Sequence, residues 1–180
     1  NGNARALLGP GDVPIDDADV RVQLQKELGL QNEYDAVITS DISGPNARAK
    51  RIDDRLGRET PALGSVRPAS RIATAIFVYS FGGLRREAAG EEETLPPGVT
   101  ESELLRACVS PDLDYIIAKA VLADLRTECL FLHFDGARYC FKKDPNVTKL
   151  VEDAEQEVSS NAEAVSERIR DILGQKLAGH

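Results

Sequence analysis

Apolar positions recur at two different spacings along this chain, and the places where the spacing changes mark out its elements. Residues 1–17, including GPGDVPIDD, are rich in Gly, Pro and Asp and read as an opening loop. Asp17 or Asp19 can cap a short helix near 18–29, where Val20, Leu24 and Leu28 recur at spacing four and Gly29 follows as a stop. Tyr34 to Ile42 fits either a short helix or a strand. SGPN then makes a turn, with Pro45 suited to a first helical position. Asn46 to Leu56 reads as a helix ending at Gly57. It places Ala49, Ile52 and Leu56 on one face and Arg48, Arg51 and Arg55 on another.

ASRIATAIFVYSF, from residue 69, is a mostly apolar helix carrying Ile72, Ala75, Ile76 and Tyr79 and ending at Gly82-Gly83. An acidic loop with Pro96-Pro97 follows and reads as mobile. Thr100 and Glu103 form a T-x-x-E capping box that opens a short helix through Leu104, Leu105 and Cys108. Pro111 and Asp112 begin a longer helix, with Ile116, Ile117, Ala120, Val121 and Leu125 predicted on its buried side. CLFLHF, Asp135-Gly136 and ARYCFKK then read as a β-hairpin, because Asp-Gly supplies the backbone conformations that a tight turn needs. Helix, short helix, longer helix and hairpin is the order of a winged helix-turn-helix.

Beyond Pro145, Val147, Val151, Ala154, Val158, Ala162, Val165, Ile169 and Ile172 form a stripe at steps of four or three. One long helix fits it. So do two, if Ser160-x-x-Glu163 caps a second. A stripe this long calls for a partner: the preceding domain, missing protein or a second copy. The expected fold is therefore mainly α with a small β-hairpin. An N-terminal helical and linker segment (1–65, with a lid-like role open to it) precedes a winged-helix domain (66–145) and a C-terminal helical extension (146–180).

Composition adds that the chain is a soluble globular type, with 42% hydrophobic residues in 180. It contains no methionine and opens with Asn1, which suggests a cut from a longer polypeptide. No apolar run reaches the length of a membrane span and no secretory signal is visible, so a cytoplasmic location is expected. Cys108, Cys129 and Cys140 lack CxxC spacing. Cys129 and Cys140 sit in apolar runs, and free, buried thiols fit a reducing compartment better than a metal site does.

The net charge of −8 disfavours a general nucleic-acid binder, because phosphate neutralisation supplies most of such affinity. Charge is nonetheless local. Residues 45–71 hold Arg48, Lys50, Arg51, Arg55, Arg58, Arg67 and Arg71 against Asp53, Asp54 and Glu59. The arginine row is either a solvated helix surface or a phosphate-facing row, and Arg48, Arg51, Arg55, Arg67 and Arg71 are the phosphate-facing candidates. In a winged helix the third helix enters the major groove while the wing touches phosphate. Here that helix carries Asp112, Asp114, Asp124 and Glu128 against Lys119 and Arg126, whereas the wing offers Arg138, Lys142 and Lys143. Lys119, Arg126, Arg138, Lys142 and Lys143 are thus the candidates for contact with duplex DNA or a protein partner, and the charge favours protein. GxxxxGK[ST], GxGxxG, HExxH and GxSxG are all absent, so no catalytic residue and no metal ligand is assigned.

IFVYSFGG, GVTESELLRACVSP, FLHFDGARYCF and KKDPNVTKLVEDAEQEV resemble the C-terminal region of a family of large prokaryotic P-loop ATPases. SDISGPNARAKRIDDRLG followed by RIATAIF resembles the same family's approach to that region, and the likeness spans roughly residues 10–158. The family is found beside DNA methyltransferases in phage-exclusion (BREX-like) and restriction-modification-like operons. The resemblance implies an AAA-like, ATP-driven anti-phage defence protein as the parent, with ATP and Mg²⁺ held in a core outside this chain and no cofactor within it. It also implies a non-catalytic regulatory and interaction module whose partners are that core and other defence-operon proteins. By analogy with related ATPases, an arginine among Arg51, Arg55, Arg67 and Arg71 would sense the γ-phosphate. Two other readings stay open: a DNA-binding module that uses the wing and residues 45–71, and a homo-oligomerisation domain built on the C-terminal stripe.

Overall fold

In the computed structural model the described residues are 8–30, 33–81 and 96–160, together with 166–167 and 170. They form a mainly helical structure with a small three-stranded antiparallel sheet. Two compact units divide the chain, Asn1–Asp144 and Pro145–His180. Within the first, the N-terminal segment shares one hydrophobic core with everything that follows it.

A 3-10 turn at Pro10–Asp12 precedes α1 (Ala18–Glu27), whose first N–H groups donate to the Asp17 side chain, as the capping pattern predicts. Gly29 takes φ 69 just past its end. The apolar stripe drawn through Leu28 is only partly used: Gln25 is the buried residue, donating to Asp35 at 2.8 Å, and Leu28 is exposed. The ambiguous Tyr34–Ile42 segment is helical, as α2 (Asp35–Val37) running into a π turn at Ile38–Ile42. Val37, Ile38 and Ile42 point into the core. The next helix differs from expectation at both ends. α3 spans Arg48–Glu59, so Pro45 lies in the preceding turn and Gly57 lies inside the helix, where it packs against Gly64 of α4 (Pro61–Val66). Thr60-Pro61 ends α3 instead, because proline disfavours helical backbone in the residue before it.

α5 (Pro68–Tyr79) lies at the centre of this unit and is buried nearly all round, from Pro68 to Phe77. That is why its sequence lacks a polar face. Each fully buried Ile or Phe contributes roughly 1.5–3 kcal/mol. Gly82-Gly83, the acidic loop and residues 1–7 lie outside the described residues. β1 (Val99–Thr100) was not foreseen in the sequence. It runs directly into α6 (Glu101–Cys108), whose predicted capping box is present: Glu103 N–H donates to Thr100 Oγ1 at 3.3 Å and Thr100 N–H donates to Glu103 Oε2 at 3.0 Å.

α7 (Tyr115–Glu128) starts later than Pro111-Asp112, because Ser110 and Leu113 close a small bridge and Asp114 is the cap. The buried face also differs from the expected one. Ala118, Val121, Leu122 and Leu125 are inside, whereas Ile116 and Ala120, both expected inside, face solvent. The hairpin forms as expected, with β2 (Leu132–Phe134) and β3 (Arg138–Phe141) joined by a turn in which Gly136 takes φ 100 and Asp135 accepts the N–H groups of Ala137 and Arg138. The strand order is β1-β3-β2, with Val99 opposite Tyr139 and Leu132 opposite Phe141.

Two buried carboxylates tie these pieces together. Asp41, with no exposed surface, accepts the backbone N–H groups of Leu130 and Phe131 at 3.1 and 2.7 Å and Arg48 Nη1 at 3.3 Å. Asp53 of α3 caps α5 from outside, accepting Ala69 N–H at 2.7 Å, Ser70 N–H at 3.0 Å and the Ser70 hydroxyl at 2.6 Å. In the second unit α8 (Val147–Ser160) carries Val147, Leu150 and Val151 exposed, with Lys149 paired to Glu152 and Asp153. Ala162, Val165, Ile169, Ile172 and the Glu163 cap lie outside the described residues.

Asp41→Ala leaves two buried N–H groups without acceptors, so denaturant unfolding is expected to lose about 2–5 kcal/mol. A loss below about 1 kcal/mol would mean that water replaces the carboxylate. Burial pushes both carboxyls above their ordinary value of 3.8, against the pull of their N–H and hydroxyl donors. An acid raised in the folded state binds its proton more tightly there, so its contribution is full below the ordinary value and is lost as pH rises through the folded one. The stability advantage of the native chain over Asp41→Asn should accordingly shrink as pH climbs from about 4. Unfolding curves in which that advantage grows instead would show that the three donors outweigh burial.

Candidate functional site

The five phosphate-facing candidates do not form one row. Arg48 is turned inward onto Asp41. Arg51 is exposed. Arg55 reaches across to α7, donating from Nη1 to Glu128 at 2.8 Å and from Nη2 to Asp124 at 2.9 Å. Those two acids, Glu128 foremost, hold its guanidinium firmly in the charged form. Both ends of this cluster are partly solvated, so its worth is in orientation more than in stability. Only Arg67 and Arg71 meet at a common place.

That place is a cavity of about 250 Å³ between the Pro10–Asp12 turn, the end of the π turn and the start of α5. Arg71 lines it with its side chain only 12% exposed, and Nε lies 3.3 Å from Asp12 Oδ1. The pair is close enough for charge attraction but not aligned as a hydrogen bond, so Nε and Nη1 of Arg71 are buried without an acceptor. Ser43 Oγ, on the same wall, is buried without a partner as well. Arg67 and Asp16, both exposed, stand at the mouth. Arg67 adopts φ 50, the only left-handed non-glycine among the described residues. The wall is close-fitting: a Cβ on Gly11 would sit 2.5 Å from the Arg71 carbonyl oxygen, so only glycine brings the turn this near to α5. Asp12 and Ser43 carried no signal in the sequence, because both sit in loop-like stretches without periodicity.

The candidates on α7 and the hairpin are mostly engaged with neighbours. Lys119 pairs with Glu101 at 3.4 Å, Arg126 lies 4.4 Å above the Phe134 ring, and Lys143 pairs with Glu33 at 3.5 Å. Arg138 is largely buried, donating to the Gly98 carbonyl at 2.7 Å, with Glu103 at 3.7 Å. Lys142 is exposed. The acids counted against α7 are occupied too: Asp112 accepts the Ser110 hydroxyl, Asp114 caps the helix, and Asp124 and Glu128 hold Arg55. α7 presents an apolar start outward, Tyr115 at 53% and Ile116 at 78% exposure, with Ala120 and Ala123 further along beside the exposed Lys119, Arg126 and Thr127. The sequence hid this, because a plain charge count cannot tell which charges have partners.

His133 Nε2 lies 3.0 Å from the Asp144 carbonyl oxygen, and Cys140 stands opposite His133 in the hairpin. Among the described residues no group of three or more His, Cys, Asp or Glu is placed to hold a metal ion, and no helix is long and apolar enough to cross a membrane. In comparisons with known proteins, no family model, no curated protein and no solved structure matches the chain.

Cys108 and Cys129 are buried, as the apolar run around Cys129 predicts, while Cys140 is half-buried. Burial pushes the Cys108 thiol up to about 11, and raises Cys129 well above its ordinary value and Cys140 less far. At pH 8 only about a thousandth of Cys108 is thiolate, too little for nucleophilic work. In a native-state titration with an aromatic disulfide, Cys140 should react first, and Cys108 and Cys129 only as fast as the chain opens. Rapid modification of Cys129 without denaturant would refute that order.

Proposed function

We propose that residues 68–141 constitute a winged helix serving as a non-catalytic interaction and regulatory module, with a protein surface as the target of its third helix. The order α5, β1, α6, α7, β2, β3 and the strand order β1-β3-β2 suit a winged helix. The observation that carries the interaction reading is the outward face of α7. A helix that reads a major groove offers donors and acceptors to base edges and cations to phosphate. This one offers Tyr115 and Ile116, beside a lysine already paired with Glu101. Exposed aromatic and branched side chains together are the usual centre of a protein–protein contact. The resemblance to large prokaryotic P-loop ATPases of phage-exclusion operons supplies the partner in this proposal: an ATP-binding core, through which the module relays nucleotide state to other defence proteins.

The test is titration of a labelled duplex at about 50 and 200 mM salt, a range over which phosphate-driven binding changes by orders of magnitude. No saturable binding is expected at either salt. Tight binding that collapses at the higher salt and disappears in Lys142→Glu/Lys143→Glu would replace this reading with a DNA-contacting wing. In the longer protein that this reading implies, Ile116→Glu should alter ATP turnover or assembly, while unfolding of the isolated chain changes by less than about 0.5 kcal/mol, as for an exposed site.

A second reading rests on α8, whose exposed Val147, Leu150 and Val151 suit a helix-to-helix seam between copies. Sedimentation over a wide concentration range separates the two, since only a seam gives a mass that rises with concentration.

A further inference from the structure

The geometry points to an anion-binding site in the cavity beneath the Pro10–Asp12 turn, built on Arg71 and Ser43 and fitted to a compact oxyanion, either a tetrahedral phosphate or sulfate group or a small carboxylate. This inference is independent of what α7 contacts. A guanidinium is always charged and brings five N–H donors, so burying it with donors unfilled is costly. Here Arg71 is 12% exposed, its Nε is close to Asp12 without hydrogen-bond alignment, and Nη1 has no acceptor at all. Asp12 is itself engaged elsewhere, its Oδ2 accepting the Gly9 N–H at 2.9 Å. Ser43 lines the same cavity, and its Oγ is likewise buried without a partner. Unfilled donors buried in residues of one cavity wall ask for an acceptor-rich guest.

Size agrees with this. About 250 Å³ is smaller than a typical cofactor cleft but ample for a phosphate or a dicarboxylate. Arg67, left-handed where it ends α4, adds an exposed arginine to the cavity lining. Two adverse charges line the cavity: Asp12, which is paired with Arg71, and Asp16, which is exposed and therefore screened.

Isothermal titration of the chain with inorganic phosphate, sulfate and malonate at constant ionic strength tests the site. One saturable event is expected for at least one of the three anions. Arg71→Gln should weaken it about tenfold or more, as for loss of a charge-assisted hydrogen bond. Ser43→Ala should weaken it about threefold to tenfold, and this small change is compatible with folding should Arg71→Gln not be. Asp16→Asn should tighten it. Binding of phosphate and sulfate alone would assign a tetrahedral guest, and binding of malonate alone a carboxylate. The site is overturned if none of the anions binds at up to about 20 mM, a Kd weaker than any functional contact of this kind would give. It is equally overturned if Ser43→Ala and Asp16→Asn bind as the native chain does, since the anion is then held elsewhere. A cavity holding water alone predicts that outcome.

Discussion

The bond between Asp41 and the start of the hairpin is the constraint on which the rest of this structure turns. A carboxylate with no exposed surface accepts two backbone N–H groups about ninety positions further along the chain, at Leu130 and Phe131. Those N–H groups belong to the segment that leads into β2, where they lie beyond the ladder and have no strand to pair with. Without Asp41 they would be buried donors lacking acceptors, each costing about 1–3 kcal/mol. The carboxylate in turn is tolerable only because Arg48 and the two N–H groups compensate its burial. The N-terminal helices are therefore not an appendage to the α5–β3 region. They complete its hydrogen bonding, and one core runs through both.

The same logic decides what faces outward. Asp53 satisfies the first N–H groups of α5, so that helix can begin at a proline in the middle of the core with no cap of its own. Arg55, two positions along on α3, takes up Asp124 and Glu128. One helix thus neutralises the acidic side of α7 and anchors the start of α5. The formal net charge of α7 says little about its surface once those partners are in place. Uncovered at its start is an apolar edge, Tyr115 and Ile116, and that edge drives the interaction reading proposed for the module.

Local chemistry was legible in the sequence; the side-chain partners of charged groups were not. The Asp17 cap, the Thr100–Glu103 box, the Asp135-Gly136 turn and the apolar α5 are each decided within a few residues, and each appears where the pattern placed it. The errors lie where a distant group competes with the local signal. α7 packs on α3, α5, α6 and β2 through Ala118, Val121, Leu122 and Leu125, and this leaves Ile116, predicted inside, on the outside. β1 is two residues long and is a strand only because β3 lies beside it. The arginine row is regular at helical spacing, yet Arg48, Arg51 and Arg55 meet three different surroundings, so periodicity could not foretell their roles.

Satisfaction of buried polar groups also gives the exceptions their meaning. Asp41, Asp53, Gln25 and Ser80 are all buried and all bonded, Ser80 donating to the Ile76 carbonyl and accepting the Phe141 N–H. Among the described residues, Arg71 and Ser43 depart from that pattern together and in one cavity lining. Two independent lapses in packing would fall at random places and would not share a cavity. The left-handed Arg67 beside them is accounted for by folding, since it ends α4 with its N–H donating to the Leu63 carbonyl at 3.1 Å. The unfilled guanidinium and hydroxyl are not, and a bound anion gives one reason for both.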